Sequence, residues 1–158
     1  LFWGFYGHRL NMYRQKQPHE GYCLLKKIAD TKQDHFCVTS NVDGHFNRVF
    51  GEQRCYEVHG SIHHIQCTKC GGIAPNTYEI DVDMDTMACR NVPKCLKCGS
   101  DVRPNILMFN DWGWDSERSG QQETLFQRFI EKATKATSKL AMVEVGAGTA
   151  IPTIRRMN

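Results

Sequence analysis

The stretch VHGSIHHIQCTKCGG, Val58 to Gly72, gathers three histidines and two cysteines, and its reading decides the fold. Cys67 and Cys70 stand as Cys-x-x-Cys, a spacing that offers two sulfurs to one tetrahedral metal from a single tight turn. A second turn of the same grammar, CLKCG, supplies Cys95 and Cys98, with residues 71–94 between the two turns. Four thiolates leave no open coordination position, so a zinc ion held there is expected to be structural. Buried thiols or two disulfides are the competing readings. Gly71 and Gly99 follow the second cysteine of each turn and permit backbone conformations that aim N–H groups at sulfur, while Lys69 and Lys97 would soften the charge. The segment from Cys67 to Cys98, dense in Cys, Gly and Pro, reads as an inserted zinc-ribbon-like module.

The three histidines are then free of the metal. His63 and His64 sit between Ile62 and Ile65 on a run that suits a half-buried strand, where a histidine is ordinarily a surface or satisfied core residue. His59 differs because it precedes a glycine at a strand end, where a side chain can face a cleft while the backbone turns. A near-neutral pKa makes it a candidate general base; an ordinary turn histidine is the alternative.

Outward from this stretch, Arg9 to Arg14 suits a helix, and Pro18 suits the first position of another whose apolar face is Cys23, Leu24, Leu25, Ile28 and Ala29. HFCVT, His35 to Thr39, is a short buried strand delivering the polar loop SNVDG, and RCYEV is a second strand leading into His59-Gly60. After the cysteine segment come a possible strand NILMF, a polar helix from about Gln121 to Ala136, and the apolar strand LAMVEVG. That strand runs into AGTAIPT, with Pro152 placed to open a helix. The pattern is α/β, and in open α/β sheets ligands sit at the carboxyl ends of strands, where SNVDG and GAGT both lie. A Gly-Ala-Gly turn serves phosphate or ribose binding, or only chain reversal. Cys23, Cys37 and Cys55 fall in apolar segments and read as small core residues, and Cys89 as a spare thiol near the cluster.

At 158 residues and 41% hydrophobic content the chain suits one compact domain carrying a small insertion. Its 20 basic and 17 acidic residues are mixed along the chain, so no basic stripe invites nucleic acid. No apolar run approaches the roughly 20 residues that cross a bilayer, and no signal-peptide pattern opens the sequence, so no membrane partner is expected. Cysteines in metal grammar suit a reducing, cytoplasmic compartment. The first residue, Leu1, leads straight into the apolar LFWGFYG, which suggests an internal piece of a longer protein.

The ordered motifs TSNVDGHF, EVHGS, CTKC, PKCLKCGSDVRPNILMF and MVEVGAGTAIPT resemble the catalytic domain of the sirtuin family, the NAD-dependent protein lysine deacylases, from about Tyr6 to Pro152. The resemblance implies a Rossmann-like parallel sheet with an inserted zinc module, and NAD and one structural zinc as cofactors. It implies that His59 is the general base, drawing a proton from a ribose hydroxyl after the acyl oxygen of an acylated lysine attacks C1′ and nicotinamide leaves. Asn41 would stand at the ribose and Asp43 near the nicotinamide amide, with Ser40, Gly146, Ala147 and Gly148 also on NAD. The products would be nicotinamide, free lysine and O-acyl-ADP-ribose. The acylated peptide or protein would lie as an added strand beside NILMF, with Ile106, Met108 and Phe109 touching the acyl-lysine. Tyr6 and Arg9, three apart on a helix, resemble the sirtuin class that accepts acidic acyl groups such as succinyl, since a guanidinium fork suits a carboxylate. An amphipathic helix with an exposed arginine is the plain alternative.

The resemblance has gaps. Ser40 stands where the family usually has glutamine, and Ala147 and Gly148 replace a Thr-Ser pair. The family's glycine-rich loop does not precede Leu1, and the chain stops at Asn158 before the last adenosine-binding strands. Residues 1–158 are therefore expected to be a partial catalytic domain, inactive by itself. An acyl oxygen, water or another protein group at C1′ would give a deacylase, an NAD hydrolase or an ADP-ribosyltransferase. A zinc-ribbon binding module without chemistry is the reading from another class.

Overall fold

The computed structural model describes residues 1–135 and 139–157. Strands β1 (Cys37–Thr39) and β2 (Cys55–Glu57) pair in parallel, Cys37 opposite Cys55 and Thr39 opposite Glu57. Parallel neighbours need a crossover, here helix α3 (His45–Phe50) and a short 3-10 turn, Glu52–Arg54. Helix α2 (Glu20–Asp30) is capped by the His19 ring, which accepts the Gly21 N–H at 3.1 Å, and it docks Tyr22 against the rings of His45 and Phe46 on α3. Helix α4 (Glu117–Lys135) covers the small sheet, its Phe126 and Phe129 against Phe36 and its Phe126 against Tyr56.

The second half is antiparallel. Strand β3 (Gly60–Cys67) lies between β4 (Ile73–Pro75) and β7 (Val102–Ile106), and a two-residue-per-strand hairpin, β5 (Val82–Asp83) with β6 (Ala88–Cys89), stands beside them. Helix α1 (Phe2–Gln15) lies across this half. Its Trp3 and Leu10 join Ile62, Ile65, Cys67, Ile80, Val102 and Ile106 in one buried cluster, and the Trp3 indole N–H donates to the Val102 carbonyl at 2.9 Å. A Cβ on Gly4 would lie 1.7 Å from the Met87 carbonyl oxygen, so only glycine lets α1 approach the hairpin this closely. The result is a mixed α/β fold in which the parallel sheet of the Rossmann-like expectation has two strands among the described residues.

Several expectations are corrected. Helix α1 begins at Phe2 rather than near Arg9, and Pro18 precedes α2 instead of opening it. Only Tyr22 of α2 is buried; Leu24 and Ile28 are 50% and 58% exposed, and Cys23 is exposed rather than a core thiol. Cys55 is fully buried and Cys37 half-buried. Strand β7 ends at Ile106, so Leu107 to Phe109 lie beyond it, and α4 begins at Glu117, with Ala136 outside the described residues. LAMVEVG forms no strand, and Pro152 is followed only by a 3-10 turn, Arg155–Met157. A strand persists only where neighbours take its N–H and C=O groups, and the described parallel sheet stops at β1 and β2. No described helix is long and apolar enough to cross a membrane.

Candidate active site and metal centre

Two separate sites emerge. The sulfurs of Cys67, Cys70, Cys95 and Cys98 all lie within 4.8 Å of one another, with Cys67 to Cys98 at 3.5 Å and Cys70 to Cys95 at 3.7 Å. Tetrahedral zinc with Zn–S near 2.3 Å sets sulfurs about 3.8 Å apart, whereas a disulfide needs about 2.05 Å. The donor set therefore fits zinc and not two disulfides. The N–H groups of Lys69 and Cys70 both point at the Cys67 sulfur at 3.4 Å. Hydrogen bonds from the backbone and hydroxyl of Ser100 hold the Cys98 thiol down at about 6, which favours the thiolate a metal needs. Among the described residues no histidine or carboxylate joins the cluster.

His59 sits in the turn between β2 and β3. Gly60 there has φ +76°, and a Cβ on it would lie 2.1 Å from the Asn105 carbonyl oxygen of β7. The His-Gly pair is thus a close-approach requirement as well as a turn. The turn is fixed on both sides, by the Val58 N–H on the Thr39 carbonyl at 3.0 Å and the Leu107 N–H on the His59 carbonyl at 2.9 Å. Burial holds the half-buried imidazole below the ordinary histidine range, opposed by a hydrogen bond to the Ser40 backbone. A neutral ring that donates one N–H to a carbonyl keeps its other nitrogen as a proton acceptor.

The loop that follows β1 lies across β3. The Ile62 N–H donates to the Val42 carbonyl at 3.0 Å, and the His63 Nε2 contacts the Asp43 carbonyl at 2.8 Å. His63 is the satisfied structural histidine expected of it, and burial brings its neighbour His64 down to about 4. Asp43 caps α3 by accepting the His45 N–H at 2.9 Å, and the exposed Asn41 offers its amide to the Tyr22 hydroxyl. The contact that joins His59 to this loop is therefore Ser40, while Asn41 turns to α2 and Asp43 to α3.

The other expected site residues are spread out. Gly146 and Gly148 are exposed and Ala147 half-buried in irregular chain, where the Arg155 Nε donates to the Ala147 carbonyl at 3.2 Å. Ile106 is buried in the core, Met108 half-buried and Phe109 85% exposed. The Arg9 guanidinium donates to the Tyr13 hydroxyl and lies over the Phe5 and Tyr13 rings, while Tyr6 packs on the core, with burial raising its pKa against the Arg103 charge. Sequence reasoning missed Tyr22, the buried pair Glu57–Arg118 and the Arg103–Asp111 pair that ties down residues 107–113. Arg103 and Asp111 are eight positions apart with nothing local to mark them as partners, and Glu57 and Arg118 are far apart in the chain.

A model of the Sir2 family matches residues 1–141. Over 111 residues the chain is 31% identical to an NAD-dependent protein deacylase of Aquifex aeolicus, covering 70% of this chain and 43% of that protein. Over 150 residues it is 28% identical to an NAD-dependent protein deacetylase of Clostridium acetobutylicum, covering 95% of this chain and 53% of that protein. The solved complex of a Sir2 homologue with NAD shares the fold, with a TM-score of 0.60 over 98% of this chain and 56% of that chain at 21% identity. The chain spans about half the length of the curated relatives it matches.

Proposed function

The chain belongs to the Sir2 family, and from that premise we propose that the full-length protein removes acyl groups from protein lysine side chains in an NAD-dependent reaction. The observation that carries this reading is His59: a half-buried imidazole in the turn after β2, its pKa lowered by burial, bonded to the Ser40 backbone of the polar loop and standing outside the sulfur cluster. NAD, when bound, supplies a C1′ carbon made electrophilic by loss of nicotinamide. The free nitrogen of His59 accepts the proton of a ribose hydroxyl, and burial keeps that nitrogen unprotonated at neutral pH. Ser40, Asn41 and Asp43 supply hydroxyl, amide and carboxylate groups to the ribose and the nicotinamide amide, Asn41 and Asp43 by exchanging their present partners, Tyr22 and the His45 N–H, for NAD. Backbone N–H groups of Gly146, Ala147 and Gly148 serve the dinucleotide once that segment is drawn to the strand ends.

Met108 and Phe109, open beyond the end of β7, hold the acyl-lysine, and Ile106 backs them from the core. Tyr6 and Arg9 bias the pocket toward acidic acyl groups. The zinc, held by Cys67, Cys70, Cys95 and Cys98, takes no part in the chemistry and fixes the module on which β3 and β7 converge.

The test is nicotinamide release by the full-length protein with NAD and acetyl- or succinyl-lysine peptides, alongside His59→Ala. Release over many turnovers should require peptide and fall by about 100-fold or more in the variant, which stalls after its first nicotinamide because the ribose hydroxyl keeps its proton. Release without peptide would favour an NAD hydrolase, and release untouched by His59→Ala would remove the base from the reading.

A further inference from the structure

The Glu57 backbone is held by the start of α4, and its buried carboxylate faces Arg118 with Oε1 left without a hydrogen-bond partner among the described residues. Its N–H donates to Gln122 Oε1 at 3.0 Å, its carbonyl accepts the Ser119 hydroxyl at 2.9 Å, and its carboxylate lies 2.7 Å from the Arg118 guanidinium. The two charged side chains are 1% and 14% exposed, and burial raises the Glu57 pKa while Arg118 opposes the rise. Such a pair is a poor source of stability, because desolvating both charges offsets their attraction; fixing a register is its best-attested use.

What stands in register here is His59, two residues further on in the turn that follows β2. The backbone between is pinned by the Val58 N–H on the Thr39 carbonyl and by the Leu107 N–H on the His59 carbonyl. Leu107 opens a loop that is closed at its far end by Gln66 and Asn105. Gln66 Nε2 donates to the Gly113 carbonyl at 2.7 Å, Asn105 Nδ2 to the Asp115 carbonyl at 2.7 Å, and the Asp115 N–H to Gln66 Oε1 at 3.0 Å. Two residues later α4 begins. Residues 107–122 thus grip the His59 turn at both ends, and the same segment carries Met108 and Phe109.

We propose that Glu57 is a positioning residue for His59: with Arg118, Ser119 and Gln122 it holds the imidazole in register with the loop that presents Met108 and Phe109 to the acyl-lysine. This rests on the deacylase reading for what His59 does, though not for where it sits.

The experiment records long-range 1H–15N spectra of the histidine rings, and kcat and KM, for the full-length protein, Glu57→Gln and the milder Ser119→Ala. The His59 signals are identified by their loss in His59→Ala. Unaltered His59 should show one dominant tautomer. In Glu57→Gln its ring nitrogens should move toward the tautomer average of an exposed histidine while His19 stays in place. The kcat should fall roughly tenfold or more with KM for NAD within about twofold. Ser119→Ala should move the same signals less, with a loss of about fivefold.

His59 signals that superimpose in every folded variant would overturn the proposal whatever the rates, as would a rate loss that vanishes once expressed per folded molecule. Should Glu57→Gln not fold, Ser119→Ala decides by the same spectrum. An unaltered protein that releases no nicotinamide would sink the deacylase reading and leave the spectral test of Glu57 standing.

Discussion

Replacing Gly60 with alanine should unlatch the His59 turn. Its φ of +76° costs a side-chain-bearing residue about 1–2 kcal/mol by itself. The new methyl would lie 2.1 Å from the Asn105 carbonyl oxygen, where a carbon and an oxygen ordinarily stay about 3.3 Å apart, so β7 must retreat by about 1 Å. That retreat pulls on the Leu107 N–H bond to the His59 carbonyl, 2.9 Å long, and losing a buried bond of this kind adds about 1–3 kcal/mol. The sum, about 2–5 kcal/mol, corresponds to a fall in Tm of roughly 5–15 °C for a chain of this size.

Gly51 supplies the control, because its φ is +85° with nothing within 4 Å of a Cβ. Gly51→Ala should therefore carry a backbone cost alone, about 1–3 kcal/mol at its φ of 85° and ψ of 152°, a fall of roughly 2–12 °C. Thermal unfolding measures the two falls, and hydrogen exchange at the Leu107 amide reports the latch, which Gly51→Ala should leave intact. Leu107 protection unchanged in Gly60→Ala, or lost equally in Gly51→Ala, would refute the reasoning.

Two further outcomes are expected. Burial depresses His59, His63 and His64, the last to about 4. The folded chain then binds fewer protons than the unfolded chain below about pH 6.5, so stability is full above that value and lost as pH falls toward 4. Glu57, raised by burial, works in the opposite sense as one group against three. The urea midpoint should fall between pH 7 and 4.5, and a flat midpoint would contradict this. Arg9→Met should impair turnover of succinyl peptides selectively, and an equal loss on acetyl peptides would count against an acidic pocket.

Local signals in the chain were legible and long-range ones were not. The two Cys-x-x-Cys turns announce a four-sulfur site because each half is closed by its own backbone, and Cys67 to Cys98 duly come together. His59-Gly60 was legible for the same reason, although the Asn105 carbonyl that demands the glycine arrives from a strand 45 positions later. LAMVEVG and the Cys23, Leu24, Ile28 face show the limit: an apolar run states what seeks burial, not what will bury it, and both are exposed here. In the sequence Glu57 is only part of a strand, because nothing nearby betrays that Arg118, Ser119 and Gln122 will claim it. Asn41 and Asp43 lie on the loop after β1 that SNVDG predicts, yet their partners, Tyr22 and the α3 N-terminus, belong to elements the motif does not mention.

X-ray absorption at the zinc edge of the full-length protein separates the metal from the chemistry in a single spectrum. A structural ion clamped by Cys67, Cys70, Cys95 and Cys98 gives a first shell of sulfur alone near 2.3 Å, identical in His59→Ala. A nitrogen in that shell, or a shell altered by His59→Ala, would make the imidazole a ligand and contradict its role as the free base.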